Sequence, residues 1–152
     1  MKPSLITICI VLILNFAVQG QNYVDYTWQY PQYAGHSINE VKWISGQTFI
    51  AVGDQGMLLM TYDNGATWEI KQIKTLRNLK GIWVKNQEEI LVLGSYDNSG
   101  TELYKTTDGG VNWTLDYENN AIGANDIHFP TDSVGYIVGN IGKVLKTTDA
   151  GT

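Results

Sequence analysis

The chain has 152 residues, with 15 acidic and 10 basic side chains, a net charge of −5 and a pI near 4.8. That balance, with Arg77 as the single arginine, excludes a basic nucleic-acid-binding face and any site built from an arginine cluster. Hydrophobic residues at 43% suffice for one packed core, and 16 Gly, 9 Tyr and 5 Trp beside only 16% charged residues point to a turn-rich, aromatic β protein.

Residues 1–20, MKPSLITICIVLILNFAVQG, read as a secretory signal peptide. Lys2 gives the positive start, Leu5 to Leu14 the apolar run, and Val18 and Gly20 the −3 and −1 positions of a cleavage before Gln21. The run is short for a membrane span, which takes roughly 20 residues. No membrane span is expected after cleavage, and the expected location is secreted, periplasmic or cell-surface. Cys9 is the only cysteine and lies in this segment, preceded by Ile8 where a lipoprotein signal needs a small residue. The mature chain therefore has no disulfide and no thiolate ligand or nucleophile.

Residues 21–37 form an N-terminal segment with YTWQY at 26–30. Trp28 precedes Ile38 by 10 residues, whereas Trp68 and Trp113 precede Leu79 and Ala124 by 11. The segment is expected to supply a ring-closing strand.

From residue 38 the sequence repeats. INEVKW (38–43), LKGIWV (79–84) and ANDIHF (124–129) align, as do TFIAVGDQG (48–56), EEILVLG (88–94) and VGYIVGNIG (134–142). MLLMT (57–61), ELYKT (102–106) and KVLKT (143–147) follow in the same phase. Val41, Ile82 and Ile127 are spaced by 41 and 45 residues, and so are Gly53, Gly94 and Gly139. Each repeat then carries T-x-D-x-G-x-x-W: Thr61, Asp63, Gly65 and Trp68, then Thr106, Asp108, Gly110 and Trp113, then Thr147, Asp149 and Gly151.

The first repeat reads as four strands near 38–44, 48–52, 57–61 and 67–71, punctuated by Gly, Asp and Asn. Four antiparallel strands in about 40–45 residues is the period of a β-propeller blade. The fold class is therefore all-β, with about three blades near 38–78, 79–123 and 124–152, the last incomplete. Rings of roughly 4–8 blades are usual, so the chain is expected to be the N-terminal part of a larger propeller.

The T-x-D-x-G-x-x-W motif resembles the Asp-box, or bacterial neuraminidase repeat, of sialidases, sortilin-type receptors and some endoglucanases. The wider pattern, in AVGDQGMLLMTYDNGATW and IVGNIGKVLKTTDAGT, is most similar to the photosystem II assembly and stability factors. The same pattern is frequent in secreted bacterial propellers. The resemblance covers about 115 residues from Ile38 onward and implies a fold rather than an activity. It implies a protein-binding role, and it places the motif turns opposite the usual binding surface.

Within the turn, Asp accepts backbone N–H groups, Gly supplies a positive φ, and Trp packs across the hairpin to seal the outer edge. These residues are structural, and no catalytic residue is assigned. A sialidase needs three arginines, and a glycosidase needs a facing carboxylate pair that no local motif here singles out. His36 and His128 lie 92 residues apart, so no metal site is predicted, and no cofactor is expected. The candidate binding face comprises the loops between blades (72–78, 117–123) and between second and third strands (53–56, 94–100, 139–142). Asp54, Arg77, Tyr96, Asp97 and Asn140 are its candidate residues. The expected function is a secreted, non-catalytic scaffold that binds a protein or carbohydrate partner. The alternative is part of a carbohydrate-active propeller enzyme, glycoside hydrolase or sialidase-like, with catalytic residues downstream.

Overall fold

A computed structural model describes residues 35–96 and 99–151. The proposed signal peptide, the strand around Trp28, and Asp97 lie outside the described residues.

Three antiparallel sheets follow one another along the chain. The first has order β1 (Ile38–Ser45), β2 (Thr48–Gly53), β3 (Leu58–Thr61), β4 (Glu69–Ile70). The second has β5 (Asn78–Val84), β6 (Ile90–Tyr96), β7 (Ser99–Thr106), β8 (Thr114–Asn119). In the third, β10 (Gly135–Gly139) lies between β9 (Ala124–His128) and β11 (Val144–Thr147). The fourth strand of the first repeat is shorter than expected, and Trp68 precedes it.

The sheets stack face to face because their second strands are apolar on both sides. In β6, Ile90 and Val92 join Ile50, Val52, Leu58 and Met60 of the first sheet in one buried cluster. Their neighbours Leu91 and Leu93 join Ala124 and Ile127 of the third sheet in another. The period of two in a strand sends alternate residues to opposite faces, so a continuous apolar run marks a strand covered twice. Full burial of each such side chain stabilises by about 1.5–3 kcal/mol. Between second and third sheets, Trp83 stacks on Phe129 with ring centroids 4.0 Å apart.

The repeated motif builds the hairpin between third and fourth strands. Asn64 and Gly65 both have positive φ (59° and 86°), as do Gly109 and Gly110 (71° and 88°) and Ala150 and Gly151 (64° and 85°). A threonine hydroxyl, buried in the first two repeats, holds this strained pair. Thr61 Oγ1 donates to Asp63 Oδ1 at 2.7 Å and accepts the Gly65 N–H at 2.9 Å. Thr106 repeats this with Asp108 and Gly110 (2.8 and 2.9 Å), and Thr147 with Asp149 and Gly151 (2.5 and 2.9 Å). The aspartate reaches forward: Asp63 accepts the backbone N–H and the hydroxyl of Thr67, and Asp108 accepts the backbone N–H and the amide of Asn112. The turn also docks on the loop between first and second strands of its own sheet. Asn64, Gly109 and Ala150 donate their N–H groups to the carbonyls of Gln47, Glu88 and Ser133.

Trp113 corrects one expectation. It does not seal an outer edge; it packs against the cluster between the first and second sheets. An indole at the hairpin base gains more contact facing the neighbouring sheet than facing water.

The opposite end of each sheet carries the second-to-third-strand turn. Gln55 (φ 56°) and Gly56 (φ 74°) have the same conformation as Ile141 (φ 61°) and Gly142 (φ 69°). Gly56 is pressed against the next sheet: its N–H donates to the Arg77 carbonyl at 2.8 Å, and a Cβ there would lie 2.2 Å from the Thr75 carbonyl oxygen. A Cβ on Gly142 would meet nothing within 4 Å.

Two outcomes follow. Gly56→Ala incurs both the left-handed penalty and the clash, about 2–4 kcal/mol, whereas Gly142→Ala incurs only the first, about 1–2 kcal/mol. Urea melts of the two variants check this, and equal losses would show that the pinning at Gly56 contributes nothing. The second concerns acid. The N–H and side chain of Thr67 and the Thr61 hydroxyl pull Asp63 down from 3.8 to about 2, and Asn112 and Thr106 do the same to Asp108. A depressed carboxylate contributes stability in full above its unfolded pKa and loses it as pH falls through the folded value. The denaturation midpoint should therefore fall between about pH 4 and pH 2. Asp108→Ala should have a lower midpoint at pH 7 and a shallower acid slope; an unchanged slope would contradict the assignment.

Candidate functional site

The binding face expected from the loops is centred on Arg77, where the connection into β5 crosses the top of the second sheet. Gly100, at φ 78°, leaves room for the guanidinium; a Cβ there would lie 2.2 Å from Arg77 Nη1. Arg77 Nε lies 2.5 Å from Glu102 Oε1 and makes no linear hydrogen bond, so the contact is an ion pair. Both side chains are nearly buried, 12% and 13% exposed, so water screens the pair little.

Glu102 gathers further donors. Thr75 Oγ1 and the Tyr104 hydroxyl donate to its Oε2 at 2.8 and 2.9 Å. Burial pushes the carboxyl upward, and Arg77, Thr75 and Tyr104 together outweigh it and hold Glu102 below the usual carboxylate range. A carboxylate kept ionised in this way is the opposite of a glycosidase general acid, whose pKa is raised. Burial, with Glu102 beside it, pushes the Tyr104 phenol up.

The other candidate residues spread around this centre. Tyr96 is half exposed, and its ring lies 4.8 Å from the Arg77 guanidinium carbon, a cation–π contact. Arg77 Nη2 donates to Asn120 at 3.3 Å and lies 3.7 Å from Glu118, which is 44% exposed. Leu76, next in the chain, is 75% exposed. Asp54 accepts the side-chain amide of Asn39 at 2.9 Å, and Asn140 accepts that of Asn125 at 2.8 Å. Asn39 and Asn125 sit at bulges between first and second strands, which aim their side chains along the face. The structure thus brings Arg77, Tyr96 and Asn120 together; Asp54 and Asn140 belong to the corresponding turns of the first and third sheets.

Sequence reasoning missed Glu102, Thr75 and Tyr104. A glutamate in the middle of an apolar third strand, in a chain with one arginine, was the available signal. It also missed Thr67 and Asn112, although both motifs carry a side-chain donor immediately before the tryptophan. His36 and His128 are exposed, and no cluster of three metal-ligating side chains occurs among the described residues. Among those residues no helix is long and apolar enough to cross a membrane.

No curated protein matches the chain. The solved structures similar to the chain include two of YCF48. The structure described as "YCF48 bound to D1 peptide" superposes with a TM-score of 0.70 at 20% identity, over 85% of this chain and 43% of that one. YCF48 from Cyanidioschyzon merolae superposes with a TM-score of 0.61 at 17% identity, over 74% of this chain and 38% of that one. The chain thus spans less than half the length of either. At these identities the likeness concerns the fold, which is all-β and made of propeller blades of antiparallel strands. The match over residues 7–147 shows that the chain belongs to the Family of unknown function (DUF5711).

Proposed function

We propose that the chain is a non-catalytic propeller scaffold that binds a protein or glycan through the Arg77 face, in the manner of a photosystem II assembly factor. The carrying observation is the set of exposed groups mounted there on buried supports. Tyr96 and Leu76 offer apolar surface beside the polar Asn120 and Glu118, while the Arg77–Glu102 pair beneath them is fixed by four contacts. Rigid placement of a few exposed aromatic and polar groups lowers the entropy lost on binding. The similar structure with a bound D1 peptide supports the peptide reading.

In the same reading, T-x-D-x-G-x-x-W is an Asp-box, its turns lie at the end of the blade away from the binding face, and residues 1–20 direct secretion. The blades run near 38–78, 79–123 and 124–152. The fixed hairpins, each braced by a threonine, an aspartate and a glycine, support the Asp-box assignment.

The test is titration of the chain with a D1-type peptide and screening on a glycan array, with Tyr96→Ala and Leu76→Ala alongside. Saturable binding to one class, weakened roughly tenfold or more by either substitution, is expected from loss of a buried apolar anchor. Hydrolysis of aryl glycosides or sialosides by the chain, or binding indifferent to both substitutions, would overturn the reading.

A further inference from the structure

The three motif turns share a backbone conformation and differ at one reactive position. The first left-handed residue is Asn64 in the first sheet, Gly109 in the second and Ala150 in the third. Asparagine is among the few side chains that accept this conformation readily. It also brings an amide that can react with its own main chain. Asn64 is the only asparagine of the sequence that glycine follows. In such a pair no Cβ on the second residue hinders its backbone nitrogen from approaching the preceding side chain. Asn64 is exposed to water, whereas Gly65 is buried.

The folded turn blocks that approach. The Gly65 N–H must lose its proton before its nitrogen can attack, and it donates to Thr61 Oγ1 at 2.9 Å. Thr61 is 1% exposed, so hydroxide from solvent does not reach this proton. The threonine hydroxyl commits its own proton to Asp63 Oδ1 at 2.7 Å. A carboxylate so close disfavours a second negative charge on the Gly65 nitrogen. The Asn64 N–H is held as well, by the Gln47 carbonyl at 3.0 Å. The peptide plane between Asn64 and Gly65 therefore cannot rotate without breaking the bond to Thr61.

We propose that Asn64 is a site of spontaneous deamidation gated by the Thr61 hydroxyl, silent in the closed turn and reactive when the turn opens. In the open turn hydroxide takes the Gly65 N–H proton. The nitrogen lone pair forms a bond to Asn64 Cγ, and the Cγ–Nδ2 bond breaks. The side-chain nitrogen leaves as ammonia with a proton from water, which regenerates the hydroxide. Water then opens the succinimide ring. Cleavage of the Cγ–N bond restores the main chain with an aspartyl residue at position 64. Cleavage of the other C–N bond leaves the main chain running through Cγ, an isoaspartyl linkage. The sum is one amide and one water giving one carboxyl group and one ammonia, with no oxidant or reductant. The isoaspartyl linkage adds a methylene between the anchors at Gln47 and Thr61, so the two hydrogen bonds no longer close together. The reaction thus converts a transient opening of the first sheet into a lasting one. Gly109 and Ala150 carry no side-chain amide, so the other two turns cannot deamidate at this position. The site is separate from the Arg77 face and does not depend on its function.

The intact chain and the peptide TYDNGATW, its residues 61–68, are incubated in mildly alkaline buffer. Peptide mapping by mass spectrometry follows deamidation at position 64, and chromatography separates the isoaspartyl from the aspartyl product. The intact chain should react at least roughly a hundredfold more slowly than the peptide, because only the open fraction reacts. Thr61→Val should accelerate the reaction at least roughly fivefold, the effect of leaving a buried N–H unpaired. Thr61→Ser, which keeps the hydroxyl, should react close to the unaltered rate. Thr106→Val, which opens the second turn instead, should not accelerate it. Asn64→Gly should abolish the loss of urea midpoint that accumulates as the unaltered protein ages. If Thr61→Val does not fold, the unaltered chain decides: through sub-denaturing urea, deamidation at Asn64 and amide exchange at Gly65 should rise in parallel. Deamidation of the folded chain at the peptide's rate, equal acceleration by Thr61→Val and Thr106→Val, or a rate that does not follow Gly65 exchange would overturn the proposal.

Discussion

One threonine hydroxyl per repeat, buried in the first two, organises this fold. A turn with two successive left-handed residues is costly for any side chain beyond glycine, and it leaves backbone N–H groups pointing inward. Thr61 and Thr106, each 1% exposed, meet both demands. Each hydroxyl accepts the N–H of the glycine and, by donating its proton to the aspartate, fixes that carboxylate to accept the next N–H. Serine would keep the bond and lose the methyl group; valine would keep the shape and leave the Gly65 or Gly110 N–H unpaired in a buried place. Because the same turn docks on the loop between first and second strands, one side chain ties all four strands of a sheet at that end.

The other end of the stack is fixed by different means. There the sheets touch through backbone, with Gly56 against Thr75 and Arg77, and through buried hydroxyls: Ser95 accepts the N–H of Ala124, and Thr101 donates to the Ile122 carbonyl. The Arg77–Glu102 pair sits where the first two sheets meet this end. Removing one partner of so enclosed a pair leaves an uncompensated charge, whereas removing both costs far less. The pair therefore fixes the position of the face more than it adds to stability. The candidate binding surface borrows its rigidity from these contacts, while its exposed residues, Tyr96 and Leu76, remain free to vary.

Much of this was legible in the sequence because the repeat holds its phase. The 41- and 45-residue spacings placed the strands. The T-x-D-x-G pattern located the positive-φ turns. What was not legible depends on which sheet a side chain faces. Trp113 reads as an edge residue in its own hairpin and becomes an intersheet residue only once Met60 is known to lie beside Gly110. Arg77 reads as an open cation until Gly100 and Glu102 close around it. Lys42 and His128 occupy the position of Trp83, yet only Trp83 finds an aromatic partner on the next sheet. Local pattern fixes a strand and its period; identity at the interface is decided by residues a full repeat away.

Native-state hydrogen exchange at the motif glycines tests the central claim most directly. If the threonine hydroxyls hold the turns as integral parts of the folded stack, the Gly65 and Gly110 amides should exchange only with global unfolding, as slowly as the central strand β6. Thr106→Val should then release Gly110 selectively while β6 remains protected. Exchange of Gly65 and Gly110 at the rate of exposed loops in the unaltered chain would contradict the account, because the turns would then be consequences of the fold rather than supports of it.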